Sequence, residues 1–310
     1  MTAGRAGQGR AAKLPPNVEG ALWVLGSAVA FTAMTTLVKF LGEDYPASLQ
    51  TFYRQAAGVV VLAPWILRDP VKAFATTRPG ILFFRATAGT LAMILSFVAY
   101  QKLPLADANA LSFTRSLWLV PLAYFLLGEK IGPARIGAAV VGFGGVLLML
   151  KSLGDNGHSL FGWAQLAALA SALLFAFTIA GMKVVTRDHS ALVVLTWSAV
   201  LGLVAAIPPA LFVWRWPNLP DLGLLAAMGA FAVVTQACYT RGVQLGDAAA
   251  IAPIDYTRLV FATVAGLIFF HEVPGVLTLV GAGVVVAASL FITWREAKAA
   301  RLTKDPVVEA

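Results

Sequence analysis

Ten apolar runs divide the chain, and short polar gaps separate them. The runs cover residues 20–40, 47–67, 80–101, 105–127, 133–151, 160–183, 191–213, 221–241, 248–270 and 275–294. A helix needs about 20 apolar residues to cross the hydrocarbon core of a bilayer. The pattern therefore predicts an all-α membrane protein with ten transmembrane helices.

Composition supports lipid as the solvent of this chain. Of its 310 residues, 59% are hydrophobic and only 12% are charged, whereas soluble domains are roughly 45–50% apolar and about 25% charged. The net charge of +8 does not indicate nucleic-acid binding, because the basic residues lie in short loops between apolar runs. The single cysteine, Cys238, excludes an internal disulfide and a cysteine-based metal site. We expect neither a metal nor a cofactor.

Basic residues are distributed unequally between the two sides of the predicted membrane. With the N-terminus in the cytoplasm, 15 Lys and Arg lie in cytoplasmic segments and 4 in external ones. The positive-inside rule then places both termini in the cytoplasm, and we expect a bacterial inner-membrane protein. Residues 1–19 are predicted to form a disordered cytoplasmic arm and residues 296–310 a cytoplasmic tail. The first apolar run is long enough to span, so a cleavable signal peptide is not expected.

Identical residues recur at a nearly constant offset of 144 or 143 positions. SAVAF at residues 27–31 resembles SALLF at 171–175, and the identical matches are Lys39 with Lys183, Gly58 with Gly202, Pro64 with Pro208, Thr114-Arg115 with Thr257-Arg258, and Glu129 with Glu272. They predict two repeats, 20–152 and 159–295. Each repeat has five runs, an odd number, so the second enters the membrane from the opposite side. Inverted repeats are typical of secondary transporters that bind substrate near the midplane.

Three segments carry a resemblance to a known family: residues 83–111, residues 122–148 with LAYFLLGEK and GFGGVLL, and residues 252–274. The chain resembles the drug/metabolite transporter superfamily, EamA type. The resemblance implies two five-helix halves around a central cavity, and alternating access. Family members carry amino acids, nucleosides, S-adenosylmethionine, vitamins and drugs. The first run lacks the acid that small multidrug members use, which disfavours a proton-coupled exporter of lipophilic cations.

Five charged residues inside apolar runs, away from the loops, are considered for a role: Arg54, Arg85, Arg115, Asp255 and Arg258. Each costs about 2.5–3.5 kcal/mol at a helix centre, so such residues pair with one another or face a wet cavity. Asp255 is the one acid well inside a run, and Arg258 follows on the same helical face. Asp255 either forms an i,i+3 ion pair with Arg258, or binds a substrate amine or a coupling proton.

The arginines also leave two interpretations open. Arg115 and Arg258 are equivalent in the repeat, and either stabilise the fold or bind substrate. Arg54 either holds a substrate carboxylate through two parallel hydrogen bonds or is a helix-end charge paired with a neighbour.

Aromatic residues and prolines complete the set of candidates. The candidate substrate-binding residues are Asp255, Arg258, Arg115, Arg54, Tyr100, Trp118, Tyr239 and Tyr256. The candidate hinges are Pro64, Pro208 and Pro253, because proline removes a backbone hydrogen bond and kinks a helix. A static bend at each proline is the alternative.

The sequence thus favours a secondary transporter of small metabolites, with amino acids or their derivatives as the expected substrates and export as the favoured direction. An importer of S-adenosylmethionine, a vitamin or a nucleoside-like solute is one alternative; a channel or a membrane enzyme is another. No HExxH or GxxxxGK[ST] motif is present, which disfavours an enzyme and an ATP-driven pump. The expected partners are a small-molecule substrate, the lipid bilayer and protons as coupling ion, without nucleic acid, and the expected state is a monomer or weak dimer.

Overall fold

Helices account for all the regular secondary structure in the part of the chain that the computed structural model describes: residues 15–42, 44–127, 132–155, 162–185, 191–245 and 253–304. The helices are α1 (Pro16–Phe40), α2 (Ala47–Arg68), α3 (Pro70–Phe74), α4 (Pro79–Lys102), α5 (Leu105–Ser112), α6 (Arg115–Leu127), α7 (Pro133–Asp155), α8 (Trp163–Val185), α9 (Ala191–Leu211), α10 (Leu219–Leu245), α11 (Thr257–Phe270) and α12 (Val276–Lys304). Each of the ten apolar runs contains helix, which confirms the all-α fold.

Eight described helical segments are long and apolar enough to cross a membrane. The other two predicted spans are α2 and the pair α5–α6. Helix α2 carries Gln50, Arg54 and Gln55 among its apolar residues, and the α5–α6 run is interrupted. The ten-helix prediction is therefore consistent with the structure once these two polar or broken spans are included.

The two ends of the helical region extend beyond the predicted runs. Helix α1 begins at Pro16 with proline in its first turn, where the missing N–H has no intrahelical partner to lose. Helix α12 continues to Lys304, past residue 295. Residues 1–14 of the predicted arm, residues 305–310 of the predicted tail, and Glu129 lie outside the described residues.

Two predicted spans are each divided into two segments. Helices α5 and α6 are separated by a turn at Phe113 and Thr114, and helical residues 253–255 are separated from α11 by a turn at Tyr256. Side-chain hydroxyls bond back to the backbone at both breaks: Thr114 Oγ1 donates to the Leu111 carbonyl at 2.7 Å, and Thr257 Oγ1 to the Ile254 carbonyl at 2.6 Å. Such bonds compete with the helical ladder. Because Thr114 and Thr257 are repeat equivalents, the break belongs to both halves.

Helix packing follows the repeat. The equivalent helices α2 and α9 pack against each other, as do α7 and α12. Helix α1 packs against α10, and the corresponding pair α4 and α8 packs likewise. Each half therefore contributes helices to the packing of the other, as a pseudo-twofold arrangement requires.

Helices α7 and α12 approach closely through small residues. A Cβ atom added at Gly145 would lie 2.7 Å from the Gly281 carbonyl oxygen, and one added at Gly281 would lie 2.5 Å from that of Gly145. Small residues allow transmembrane backbones to come into such contact. The two glycines thus define the seam between these equivalent helices.

Candidate functional site

Three of the predicted charged residues meet at the two helix breaks. Arg115 is the first residue of α6, Asp255 precedes the break at Tyr256, and Arg258 lies in the first turn of α11. Arg258 Nη2 lies 2.7 Å from Asp255 Oδ1, and Arg115 Nη2 lies 3.3 Å from Asp255 Oδ2. The i,i+3 ion pair is present, and Arg115 joins it from the other half. We call Arg115, Asp255 and Arg258 the charge cluster.

The two helix breaks pack against each other beside the charge cluster. The rings of Phe113 and Tyr256, which are repeat equivalents, have centroids 4.6 Å apart. Beyond the first break, the hydroxyls of Ser116 and Ser289 are 2.6 Å apart and join α6 to α12. The two interrupted helices are therefore in contact where each backbone departs from helical geometry.

Aromatic rings surround Arg258. Its guanidinium carbon lies 4.5 Å from the centroid of the Phe31 ring and 5.7 Å from that of Tyr239, both within cation–π range. Tyr100 meets Phe31 edge to face, with centroids 6.1 Å apart. The candidates Tyr100, Tyr239 and Tyr256 thus lie around the cluster.

Trp118 is placed differently from the other aromatic candidates. It lies on α6 and meets Phe143 of α7 edge to face, with ring centroids 4.8 Å apart. Its indole Nε1 is buried and has no hydrogen-bond acceptor among the described residues. Trp118 therefore packs between neighbouring helices, with a donor that remains available.

The charge cluster has one more cation than anion. Its side chains are 8% (Arg258), 12% (Asp255) and 30% (Arg115) exposed, so Arg115 is the most accessible member and makes the longer contact. Charges that are partly removed from water interact more strongly than surface charges. Within the described ranges no group of three or more His, Cys, Asp or Glu gathers as for a metal. Two guanidinium groups around one carboxylate leave one positive charge that a substrate carboxylate can compensate.

Arg54 faces the interior of the bundle from α2. Its Nη1 donates to Gln55 Oε1 at 3.3 Å; no acid pairs with it in the described part of the chain, and its buried Nε has no acceptor there. The neighbouring Gln55 packs its side-chain amide against Gly202 of α9. Ala57 packs against Gly229 of α10, so closely that a Cβ atom added at Gly229 would lie 2.5 Å from the Ala57 Cβ. Arg54 lies between these two packed faces and is an uncompensated cation.

The prolines do not coincide with the observed breaks. Pro64 lies inside continuous α2 and Pro208 inside continuous α9. Pro253 begins the short segment before the break at Tyr256. A hinge role for all three stays a prediction, and the large departures from helical geometry occur elsewhere.

A second charged group, which the sequence did not predict, lies at one end of the bundle. At this end α1, α4 and α11 finish, and α2, α5 and α10 begin. We call this the Lys39 end. Lys39 Nζ donates to Glu272 Oε1 and, at 2.6 Å, to the Leu103 carbonyl. Glu272 Oε2 accepts from the Leu105 backbone N–H at 2.9 Å. The sequence signal was available, because Lys39 and Glu272 have opposite charges at the ends of two runs that finish on the same side.

Two further contacts join the halves at the Lys39 end. Tyr45 Oη donates to Asp221 Oδ2 at 2.8 Å, and Arg215 Nη1 donates to Asp44 Oδ1 at 2.9 Å. In each pair one residue belongs to the first half and the other to the second. Polar contacts across the repeat boundary therefore join the two halves at this end of the bundle.

Comparison with known proteins gives one family. The model of the EamA-like transporter family matches residues 18–151 and again residues 162–294. An S-adenosylmethionine uptake transporter of Rickettsia bellii (strain RML369-C) is 30% identical over 284 residues, covering 89% of this chain and 94% of that protein. A riboflavin transporter of Rhizobium johnstonii is 27% identical over 92% of this chain and 94% of its own length.

An exporter and a solved structure are also similar. The pseudopaline exporter CntI of Pseudomonas aeruginosa (strain UCBPP-PA14) is 27% identical over 88% of this chain and 95% of that protein. A crystal structure superposes with a TM-score of 0.59 at 19% identity, covering 89% of this chain and 97% of that chain. This last likeness concerns the fold alone.

Proposed function

The chain belongs to the EamA-like transporter family, and from that premise we propose that it carries amino-acid derivatives across a bacterial inner membrane by alternating access. Transport of a small molecule, rather than catalysis, follows from the family. The substrate class is our proposal. The observation that carries it is the position of Asp255 between Arg115 and Arg258 at the breaks of two equivalent helices.

The charge cluster offers both signs of charge that a zwitterion needs. Arg115 is 30% exposed and 3.3 Å from Asp255, so a substrate carboxylate displaces this contact at low cost and takes up the guanidinium fork. The substrate ammonium then replaces Arg115 as partner of Asp255. Discontinuous helices near the midplane form the substrate sites of many secondary transporters.

Arg54 provides a second point for an anionic group. No acid compensates it among the described residues, and it faces the bundle interior with an unpaired Nε. An arginine fork binds carboxylate or phosphate through two hydrogen bonds. We therefore expect a substrate that carries at least one carboxylate, and not a simple lipophilic cation.

The names of similar proteins support S-adenosylmethionine as the first probe. Its methionine part is a zwitterionic amino acid, and its adenine is a planar ring of the kind that aromatic side chains hold. Phe31 and Tyr239 lie beside Arg258, close enough to the charge cluster to contact such a ring. Riboflavin, named for another similar protein, has no carboxylate and serves as the contrasting probe.

Orientation and direction are parts of the same proposal. The basic residues favour cytoplasmic termini, which places the Lys39 end on the external face. Similar proteins are named for uptake and for export, and export stays our prediction. Flux measured in spheroplasts and in inverted vesicles distinguishes the two directions, and an imposed pH gradient tests proton coupling.

Counterflow in proteoliposomes tests the proposal. Vesicles are loaded with unlabelled S-adenosylmethionine, and labelled S-adenosylmethionine is added outside, with methionine, adenosine and riboflavin as competitors. We expect transient, saturable accumulation that Asp255→Asn abolishes while the protein remains folded. Asp44→Asn is the matched control, because its pair with Arg215 is exposed at 67% and 62%.

Three results would count against this function. Flux without counterflow indicates a channel. Failure of both S-adenosylmethionine and methionine to be carried or to compete removes the substrate class. Unchanged counterflow and unchanged pH dependence in Asp255→Asn remove the charge cluster from the mechanism.

A further inference from the structure

Glu272 lies where four chain segments meet at the Lys39 end. One carboxylate oxygen accepts from Lys39 at the end of α1, and the other accepts from the Leu105 N–H at the start of α5, at 2.9 Å. Lys39 also donates to the carbonyl of Leu103, just after α4. Glu272 thus contacts two segments of the first half directly and is linked to a third through Lys39.

A tight turn directs Glu272 towards the first half. Helix α11 ends at Phe270, and His271 adopts a left-handed conformation with φ 55°, which is uncommon for a residue other than glycine. The Glu272 N–H then donates to the Gly266 carbonyl at 3.0 Å. The turn fixes the backbone of Glu272 relative to α11, so movement of α11 moves the carboxylate.

Burial separates this ion pair from the other pair at the same end. The side chains of Lys39 and Glu272 are 13% and 19% exposed, whereas those of Arg215 and Asp44 are 62% and 67% exposed. Exposed pairs contribute little because water and salt screen them. The Lys39–Glu272 pair is therefore the stronger polar contact between the halves at this end.

The same two interrupted helices connect Glu272 with the charge cluster. Leu105 begins α5, whose eight residues (about 12 Å) lead to the break that precedes Arg115. Glu272 follows α11, whose 14 residues (about 21 Å) begin beside Arg258. A shift of either arginine towards a substrate is transmitted along a short helix to the carboxylate.

We propose that Glu272 is a positioning residue that couples the charge cluster to the Lys39 end, and that its pair with Lys39 breaks each time the carrier opens at that end. The inference rests on the alternating access proposed above. Binding at the cluster displaces α5 and α11, which lengthens the contacts of Glu272 and releases Lys39. The pair stabilises the state that is closed at the Lys39 end, and its loss shifts the population towards the open state.

Cysteine accessibility tests the inference without a known substrate. Cys238 is the one cysteine of the chain, so Cys238→Ala provides a background without thiols. Ala108→Cys then places a thiol on α5, one turn below Leu105, at a residue that is 2% exposed. A membrane-impermeant maleimide is added to spheroplasts and to inverted vesicles, which present opposite ends of the bundle to the reagent.

When both Lys39 and Glu272 are retained, we expect the thiol introduced by Ala108→Cys to react slowly with maleimide added on the side of the Lys39 end. Glu272→Gln and Lys39→Met should raise that rate by about tenfold, equivalent to about 1.4 kcal/mol. Lys39→Arg keeps the charge and should label as slowly as wild type. Asp44→Asn, which breaks the exposed pair at the same end, should also leave the rate unchanged.

Three results overturn the inference. The first is an unchanged rate in both Glu272→Gln and Lys39→Met, and the second is an equal rise in Asp44→Asn. The third is a similar rise from both sides of the membrane, which indicates general loosening. If Glu272→Gln fails to fold, Lys39→Met and Lys39→Arg decide the question, since both retain the Glu272 contact with Leu105. Labelling does not depend on counterflow, so failure of the proposed substrate class leaves this result interpretable.

Discussion

Arg115 and Arg258 occupy equivalent positions in the two halves, yet the structure predicts that they stabilise the fold unequally. The Arg258 side chain is 8% exposed, lies 2.7 Å from Asp255 and stacks over Phe31 at 4.5 Å. The Arg115 side chain is 30% exposed and lies 3.3 Å from the same carboxylate. Replacing each arginine with glutamine separates the two contributions.

The magnitudes follow from burial. Removing one partner of a buried ion pair costs about 3–5 kcal/mol, because a charge remains buried without compensation. For Arg258→Gln we expect a loss of about 3 kcal/mol, the lower end of that range, because Asp255 keeps Arg115 as a partner. For Arg115→Gln we expect about 1 kcal/mol, as for a pair open to solvent.

Unfolding of the purified protein in mixed micelles, titrated with SDS and followed by tryptophan fluorescence, measures both values. The double variant Arg258→Gln/Asp255→Asn should lose less than the sum of the single losses, because the two residues interact directly. Equal destabilisation by Arg115→Gln and Arg258→Gln would refute the reasoning, since the repeat alone would then determine stability. An additive double variant would show that the 2.7 Å contact contributes nothing.

Three other substitutions have expected outcomes in the same unfolding assay. Gly145→Ala should destabilise by about 1–3 kcal/mol through overpacking, because its Cβ would lie 2.7 Å from a backbone carbonyl oxygen. Gly283→Ala, which has no neighbouring atom within 4 Å of the added Cβ, should be close to neutral. Similar losses for both would contradict the close approach of α7 and α12 at Gly145. Arg54→Gln should raise the free energy of unfolding by about 1 kcal/mol, because it removes an uncompensated cation. The same change should weaken counterflow of compounds that carry a carboxylate. A gain in stability with unaltered counterflow would remove Arg54 from substrate binding. Tyr45→Phe should cost about 0.5–1.5 kcal/mol, the net value of one hydrogen bond, because its hydroxyl donates to Asp221 at 2.8 Å. An unchanged midpoint would show that this contact does not stabilise the fold.

The helices could be predicted from the sequence because hydrophobicity determines which segments enter lipid. All ten predicted runs contain helix, and the nearly constant offset of 144 or 143 residues anticipated which helices are equivalent. The i,i+3 pairing of Asp255 and Arg258 was also accessible, since local geometry fixes it. These features depend on residues that are close together in the chain.

The features that escaped prediction depend on contacts between distant residues or on competing backbone bonds. Hydropathy does not register the hydroxyl of Thr114, which bonds to Leu111 and replaces part of the helical ladder. Arg115 reaches Asp255 across 140 positions, and Lys39 reaches Glu272 across 233. Neither contact follows from a single helix, because each requires the relative placement of the two halves.

The exchange of helices between the halves has a consequence for biogenesis. Helix α1 packs against α10, and the Ser27 hydroxyl donates to the Thr235 carbonyl at 3.0 Å, 208 residues away. A ribosome adds about 5–20 residues per second, so roughly 10–40 s pass between synthesis of the end of α1 and the start of α10. During that interval α1 must reside in the bilayer as a span that is stable without its permanent neighbour. Insertion of α1 into the membrane and its packing against α10 are therefore two separate steps in the biogenesis of this protein.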